Sequence, residues 1–166
     1  MGRLTAVKIL RDGTVVAVHP IALTDADRLI RFHESLSTES IRMRFFSGHP
    51  HLRARDAERF TTVDHDEREA LVALLDDVII AVGRYERLDN GVDAEVAFVV
   101  AERRQGFGLG TMLLHDLAAL ARSSGIRGFV ADTLAENQRM LAVFMQSGLA
   151  IAKSTSQGVV SVSMEL

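Results

Sequence analysis

The chain has 166 residues, 48% hydrophobic and 25% charged, with a formal net charge of -3. Those values predict one globular domain spanning 1–166, and no apolar run approaches the roughly 20 residues of a membrane span. No cysteine is present, which excludes disulfides, thiolate metal sites and cysteine-borne acyl intermediates. The charge balance gives no general attraction for nucleic acid, and the first residues lack a signal-peptide pattern, so a cytoplasmic protein is expected.

After the turn signal Asp12-Gly13, the alternation in Thr14-Val15-Val16-Ala17-Val18 predicts a first strand, ended by Pro20. Thr24 or Asp25 is placed to cap a helix with the apolar stripe Leu29, Ile30, Phe32 and Leu36. Ser37 and Ser40 predict a break and a second short helix carrying Ile41, Met43, Phe45 and Phe46, with Arg42 and Arg44 on its polar side as a wall of an acceptor groove. Gly48-His49-Pro50 stops it, and a third helical piece is predicted over Ala54–Phe60.

From residue 70 the pattern changes. Ala70–Leu75, Val78–Tyr85 and Ala94–Val100 have strand length and are split at Asp76-Asp77 and Asp89-Asn90-Gly91, which reads as a three-strand antiparallel meander. A glycine-rich stretch follows, then a helix with the face Leu113, Leu114, Leu117, Leu120 and Ala121, closed by Ser124-Gly125. Phe129–Thr133 is a further strand, Asn137–Ser147 a helix, and Leu149–Leu166 a hairpin turning at Gln157-Gly158. The whole is an α+β mixed sheet of about seven strands, mostly antiparallel, flanked by helices.

The stretch Arg103-Arg104-Gln105-Gly106-Phe107-Gly108-Leu109-Gly110-Thr111 joins a strand to a helix. Backbone N–H groups there converge at the positive end of a helix dipole, which makes an anion cradle, with Arg103, Arg104 and Gln105 as additional donors. The plain alternative is a tight turn. Dinucleotide and Walker patterns fail on spacing, because Thr111 stands where the first needs glycine and the second lacks its lysine.

Gln105-Gly106-Phe107-Gly108-Leu109-Gly110 resembles the Q/R-x-x-G-x-G/A signature of the GNAT superfamily of acyl-CoA N-acyltransferases, and the order of elements is similar to that fold over nearly the whole chain. Ala94–Val100 resembles the family's fourth strand, which splays from the fifth so that the pantetheine arm pairs with its backbone. Asn137-Gln138-Arg139-Met140 with Phe144 and Ser147-Gly148-Leu149 resembles its later helix. The run from Arg11 to Phe46, and that from Arg59 to Leu75, are similar to the catalytic domain of Pat-type bacterial protein lysine acetyltransferases, which act on acyl-CoA synthetases. The resemblance implies acetyl-CoA as co-substrate, no metal, no membrane or nucleic-acid partner, and a protein lysine as acceptor. It implies cofactor contacts at Phe98, Val99, Val100, Gln105, Gly106, Phe107, Gly108, Leu109, Gly110, Thr111 and Asn137; for Asn137 a helix N-cap is the alternative role. Pat-type enzymes often carry a separate regulatory domain, so control is expected from such a domain or a partner.

A lysine amine of ordinary pKa is neutral in only about one part in two thousand at pH 7, so a general base is needed. Glu95 is the one acid in an otherwise apolar strand, on the face shared with Ala97 and Val99, and the resemblance implies that it is the base. Burial there is expected to raise its pKa. Without a cysteine, the amine attacks acetyl-CoA directly in a ternary complex, with a backbone N–H near Val99 or Val100 polarising the thioester. Many family members protonate the leaving thiolate with a tyrosine where Phe144 stands here; Tyr85, the only tyrosine, lies on another strand and reads as core or surface. An acetyltransferase for a small amine and a non-catalytic acyl-CoA sensor are the alternative functions. His49-Pro50-His51 and Asp64-His65-Asp66 read as solvated turns rather than metal sites, the second also as an attractor for a substrate lysine, and His115 as surface.

Overall fold

The computed structural model describes residues 5–45 and 52–166, so Phe46 and the His49-Pro50-His51 turn lie outside the described residues. The chain runs β1 (Ala6–Ile9), β2 (Val15–Pro20), α1 (Ala26–Ser35), α2 (Thr38–Phe45), α3 (Ala54–Thr61), β3 (Arg68–Leu75), β4 (Val78–Arg87) and β5 (Asp93–Val100). It continues with α4 (Leu109–Ser123), β6 (Gly128–Leu134), α5 (Gln138–Met145), β7 (Ile151–Ser156) and β8 (Val159–Glu165). The strands form one sheet of eight, in the order β1-β2-β3-β4-β5-β6-β8-β7. Every neighbouring pair is antiparallel except β5–β6.

The strand missing from the expected seven is β1. Val7 and Ile9 are 71% and 73% exposed, so the strand is held by its ladder to β2 and has no buried face to produce a readable alternation. The meander turns fall where the acids predict them: Asp76 and Asp77 both adopt positive φ, and Asn90 Oδ1 accepts the amides of Val92 and Asp93. Asp25 acts one turn earlier than expected. Its carboxylate accepts the Ala22 amide and closes a 3₁₀ turn over Leu23–Asp25, ahead of α1.

Burial on both faces of the sheet sets the orientation of β5. Val96 and Phe98 face α4, in a core with Leu113, Leu117, Phe129 and Phe144. Val99 packs toward the opposite core, where Leu29 and Phe32 of α1 meet Val72 and Val82. Alternation therefore puts Glu95, Ala97 and Val99 on the α1–α3 side of the sheet.

Candidate active site

Strands β5 and β6 pair only from Asp93↔Gly128 to Glu95↔Val130. Beyond that register they part, and Val96–Val100 has no strand partner on the β6 side. The Ala101 amide donates to Ile80 of β4 at 2.8 Å, so by alternation the Val100 and Phe98 peptide groups point into the gap and that of Val99 points to β4. An amide able to polarise a group in the gap is therefore that of Phe98 or Val100. Val99, one of the two positions predicted for this role, is turned away.

The loop after β5 leads into α4 through two glycines in the left-handed region, Gly106 (φ 88°) and Gly108 (φ 93°). Each needs its missing Cβ for conformation, and a Cβ at Gly106 would meet nothing within 4 Å. Gly110 has a different reason: a Cβ there would lie 3.0 Å from Val143 of α5, so it allows the two helices to approach. The tight-turn requirement and the cradle thus coexist. The first α4 bond runs from the Met112 amide to the Gly108 carbonyl, which leaves the amides of Leu109, Gly110 and Thr111 without intrahelical acceptors.

Several predicted donors are used otherwise. Gln105 Nε2 donates to the Val100 carbonyl at 3.0 Å, and its Oε1 accepts from Arg139 at 3.1 Å, so the side chain braces the loop against β5 and α5. Arg103 is exposed and does not line the cavity, whereas Arg104 does. Arg11, a residue that the sequence did not single out, lines it as well: its Nε would lie 3.4 Å from a Cβ on Gly108.

These elements enclose a cavity of about 890 Å³. Glu95, Val99, Val100, Gln105, Gly106, Gly108, Gly110, Thr111 and Asn137 all line it; Phe98 and Leu109 do too, although their side chains are buried in the core and offer the cavity chiefly backbone. Phe107, like Arg103, does not line it, and packs partly against the core. Asn137 is the N-cap of α5, its Oδ1 accepting the Met140 amide at 3.2 Å, and also borders the cavity. Thr133 Oγ1 is a buried cavity-wall hydroxyl with no hydrogen-bond partner among the described residues. Open amides on a helix N-terminus, arginines beside them, an unpaired strand edge and an orphan hydroxyl fit a long ligand with an anionic end and an amide-bearing arm.

Glu95 sits at the last paired position of β5, at the mouth of the gap. Its side chain is exposed rather than enclosed, so the apolar burial expected of it is not supplied by this chain. Arg44 of α2 reaches the same place. Burial lowers its pKa while the Glu95 charge raises it. Arg42 does stand on the polar side of α2, but it ties the helix to Glu136 at 2.8 Å and to Glu39. Glu102 Oε1 accepts the Ser37 amide (2.8 Å) and Ser40 Oγ (2.7 Å), clipping α2 to the cofactor loop; these hydrogen bonds hold its carboxyl below the ordinary range.

Phe144 is 2% exposed, with its ring 6.4 Å from that of Phe98, so α5 brings no hydroxyl to this position. Tyr85 is buried beside Phe129 and belongs to the core. Asp64 accepts the amides of Asp66 and Arg68 in a turn, and His65 donates to the buried Glu69 at 2.8 Å. The exposed His115 donates to the Ser147 carbonyl. No helix among the described residues is long and apolar enough to cross a membrane.

A splayed β5–β6 pair with a glycine loop leading into a helix defines a class of acyl-coenzyme A-binding fold, and comparison with known proteins gives the family. A model of the acetyltransferase (GNAT) family matches residues 30–149, and the chain belongs to that family, whose acetyltransferases use acetyl-CoA as co-substrate. The structure superposes on the GNAT domain of Streptomyces lividans PAT with a TM-score of 0.91 at 40% identity, covering 98% of this chain and 97% of that one. Acetyltransferase Pat of Mycolicibacterium smegmatis is 29% identical over 84% of this chain, which spans only 42% of that protein. An acetyltransferase of Pseudomonas aeruginosa is 26% identical over 81% of this chain and 74% of its own length. The chain is thus a GNAT acetyltransferase close to the Pat-type domain.

Proposed function

We propose that residues 1–166 act as one acyltransferase domain that transfers acetyl from acetyl-CoA to a lysine side chain of a protein, such as an acyl-CoA synthetase. The observation that carries this reading is the position of Glu95, which shares one cavity with the glycine loop and stands where β5 and β6 begin to part. Coenzyme A lies with its pyrophosphate on the Gly106–Thr111 amides, flanked by Arg11 and Arg104, and its arm along the open edge of β5. That arrangement brings the thioester to the mouth of the gap, beside Glu95.

Glu95 takes a proton from the incoming ammonium, directly or through one water. The neutral amine attacks the thioester carbon, and the Phe98 or Val100 amide stabilises the oxyanion. Collapse expels the thiolate, and the remaining extra proton on the nitrogen passes to the thiolate or to water, leaving a neutral amide. With free thiols at pKa near 8.5, a thiolate leaves without a dedicated acid, which accommodates Phe144 in place of a tyrosine. The absence of any cysteine favours this direct attack over an acyl-cysteine route.

The test is mass spectrometry of a purified acyl-CoA synthetase after incubation with acetyl-CoA and either wild type or Glu95→Gln. Acetyl-lysine formed by the wild type and strongly reduced with the variant is expected. Equal modification by both removes Glu95 from its role, and modification by neither removes the acyl-CoA synthetase acceptor.

A further inference from the structure

A second cavity, about 440 Å³, opens on the α1–α3 side of the sheet and shares Glu95, Arg44 and Ala97 with the first. It lies on the acceptor side of the proposed base. Arg84 of β4 stands in its wall, directly across from Ala97 of β5 and Ala70 of β3. Two alanines as cross-strand neighbours leave the space above the guanidinium open. Among the described residues its ring contact is the face of Phe60 of α3, whose centroid is 4.8 Å from the guanidinium carbon.

Arg84 makes no hydrogen bond or ion pair among the described residues, although carboxylates are close by. Glu95, its diagonal neighbour, forms no ion pair with it, and the others are engaged or directed elsewhere. Glu69 is buried and accepts from His65 and from the Ala70 amide. Glu86 projects from the next cross-strand row, opposite both Arg68 and Glu95, and forms no ion pair with Arg84. Asp66 and Glu67 face Arg87, which also donates to the Gly91 and Ser124 carbonyls and is thereby drawn away from the cavity.

The cations nearest Arg84 reinforce rather than relieve it. Burial, then Arg44, then Arg68 lower its pKa well below the ordinary arginine value, to about 10, with Glu86 opposing. Among the described residues, this half-buried positive charge therefore stands among like charges and forms no ion pair or hydrogen bond. Such an arrangement opposes stability, and it is relieved by an anion entering the cavity.

We infer that Arg84, backed by Arg44 and Arg68, is a carboxylate-binding subsite that selects acceptors carrying an acidic group beside the amine to be acetylated. The spacing fits. Glu95 and Arg84 are diagonal cross-strand neighbours, roughly 7 Å apart at their bases, the distance between same-face side chains two positions apart in an extended peptide. A lysine at Glu95 thus sets an aspartate or glutamate two residues away over Arg84. The α-carboxylate of a free lysine-like amine spans a similar distance, so the carboxylate has two possible sources. The inference rests on the proposed role of Glu95 for its orientation, while the subsite itself can be read by binding alone.

The experiment is calorimetry of the coenzyme A-loaded protein with blocked hexapeptides holding a central lysine and, two positions away, glutamate or glutamine; free lysine and lysine amide form a second pair. The wild type is expected to bind the carboxylate member of one pair at least about tenfold more tightly, the scale of one charge-assisted arginine–carboxylate contact. Preference within the peptide pair assigns the subsite to a protein segment, and preference within the lysine pair to a small amine. Arg84→Gln is expected to abolish the difference, Arg84→Lys to retain part of it, and neither to lower the melting temperature, whereas a purely structural arginine would lose stability on removal. Equal binding within both pairs by the wild type, or a preference that survives Arg84→Gln, overturns the subsite. Acetyl transfer from acetyl-CoA, followed on the same peptides, separates the two readings: a carboxylate preference without transfer leaves the subsite and removes the acetyltransferase role on such lysines, and transfer without preference does the reverse.

Discussion

The proposed cofactor side and the proposed acceptor side of this molecule are built by different means. On the cofactor side, recognition is made from backbone: the amides at the start of α4 and the open edge of β5. On the acceptor side it is made from side chains of separate elements, with Glu95 from β5, Arg44 from α2, Arg84 from β4 and Phe60 from α3 around one opening. A backbone site tolerates changes of side chain but not of conformation. A side-chain site has the opposite sensitivity, and the two halves can be taken apart by mutation on that basis.

The largest effect is expected from Glu95→Gln, which removes the proposed proton acceptor and leaves the backbone cradle intact. Turnover should fall by about a hundredfold or more while acetyl-CoA binding, measured by calorimetry, stays within about twofold. Weakened acetyl-CoA binding would show that the halves are coupled. Gly108→Val comes next and inverts the pattern. A β-branched residue at φ 93° is strained by about 1–3 kcal/mol, so thermal stability falls and the KM for acetyl-CoA rises by about tenfold.

Arg11→Ala sharpens the cofactor half further. If its guanidinium pairs with phosphate, acetyl-CoA affinity drops about three- to tenfold, kcat holds, and the salt dependence of binding becomes shallower. An unchanged salt dependence assigns Arg11 to loop packing alone. The smallest effect concerns the clip between the halves. Glu102 titrates below its ordinary 4.5 because Ser37 and Ser40 donate to it, so the bond is intact above that pH and is lost as pH falls through the lowered folded value. Hydrogen exchange at the Ser37 amide should therefore accelerate, relative to neighbouring amides in α2, only in that acid range, and the acceleration should be absent in Glu102→Gln.

Most of the fold was legible because each element carried its own signal. Aspartates marked the β3–β4 turn, an asparagine and a glycine the β4–β5 turn, and glycines marked the ends of α4 and α5. β1 escaped because its apolar side chains are exposed; pairing to β2 and the Lys8–Asp116 ion pair hold it. The cofactor loop was legible too, since positive φ restricts residue choice at Gly106 and Gly108 within a few positions of sequence. Gln105, expected as an additional donor, does line the cavity, yet its amide braces Val100 instead.

By itself the sequence determined the order of strands and helices from β2 onward, the glycine-gated start of α4, the alternation that puts Glu95 opposite the buried Val96 and Phe98, and the chemistry excluded by the lack of cysteine. These are local properties, set by periodicity, turn conformation and residue type. Tertiary structure alone decided that β5 and β6 part after Glu95, that Arg11 arrives beside Gly108 and that Arg84 stands between two alanines beside the proposed base. Those facts depend on sheet register and helix docking, which bring together residues far apart along the chain, and no local pattern encodes which distant side chain will fill a given space.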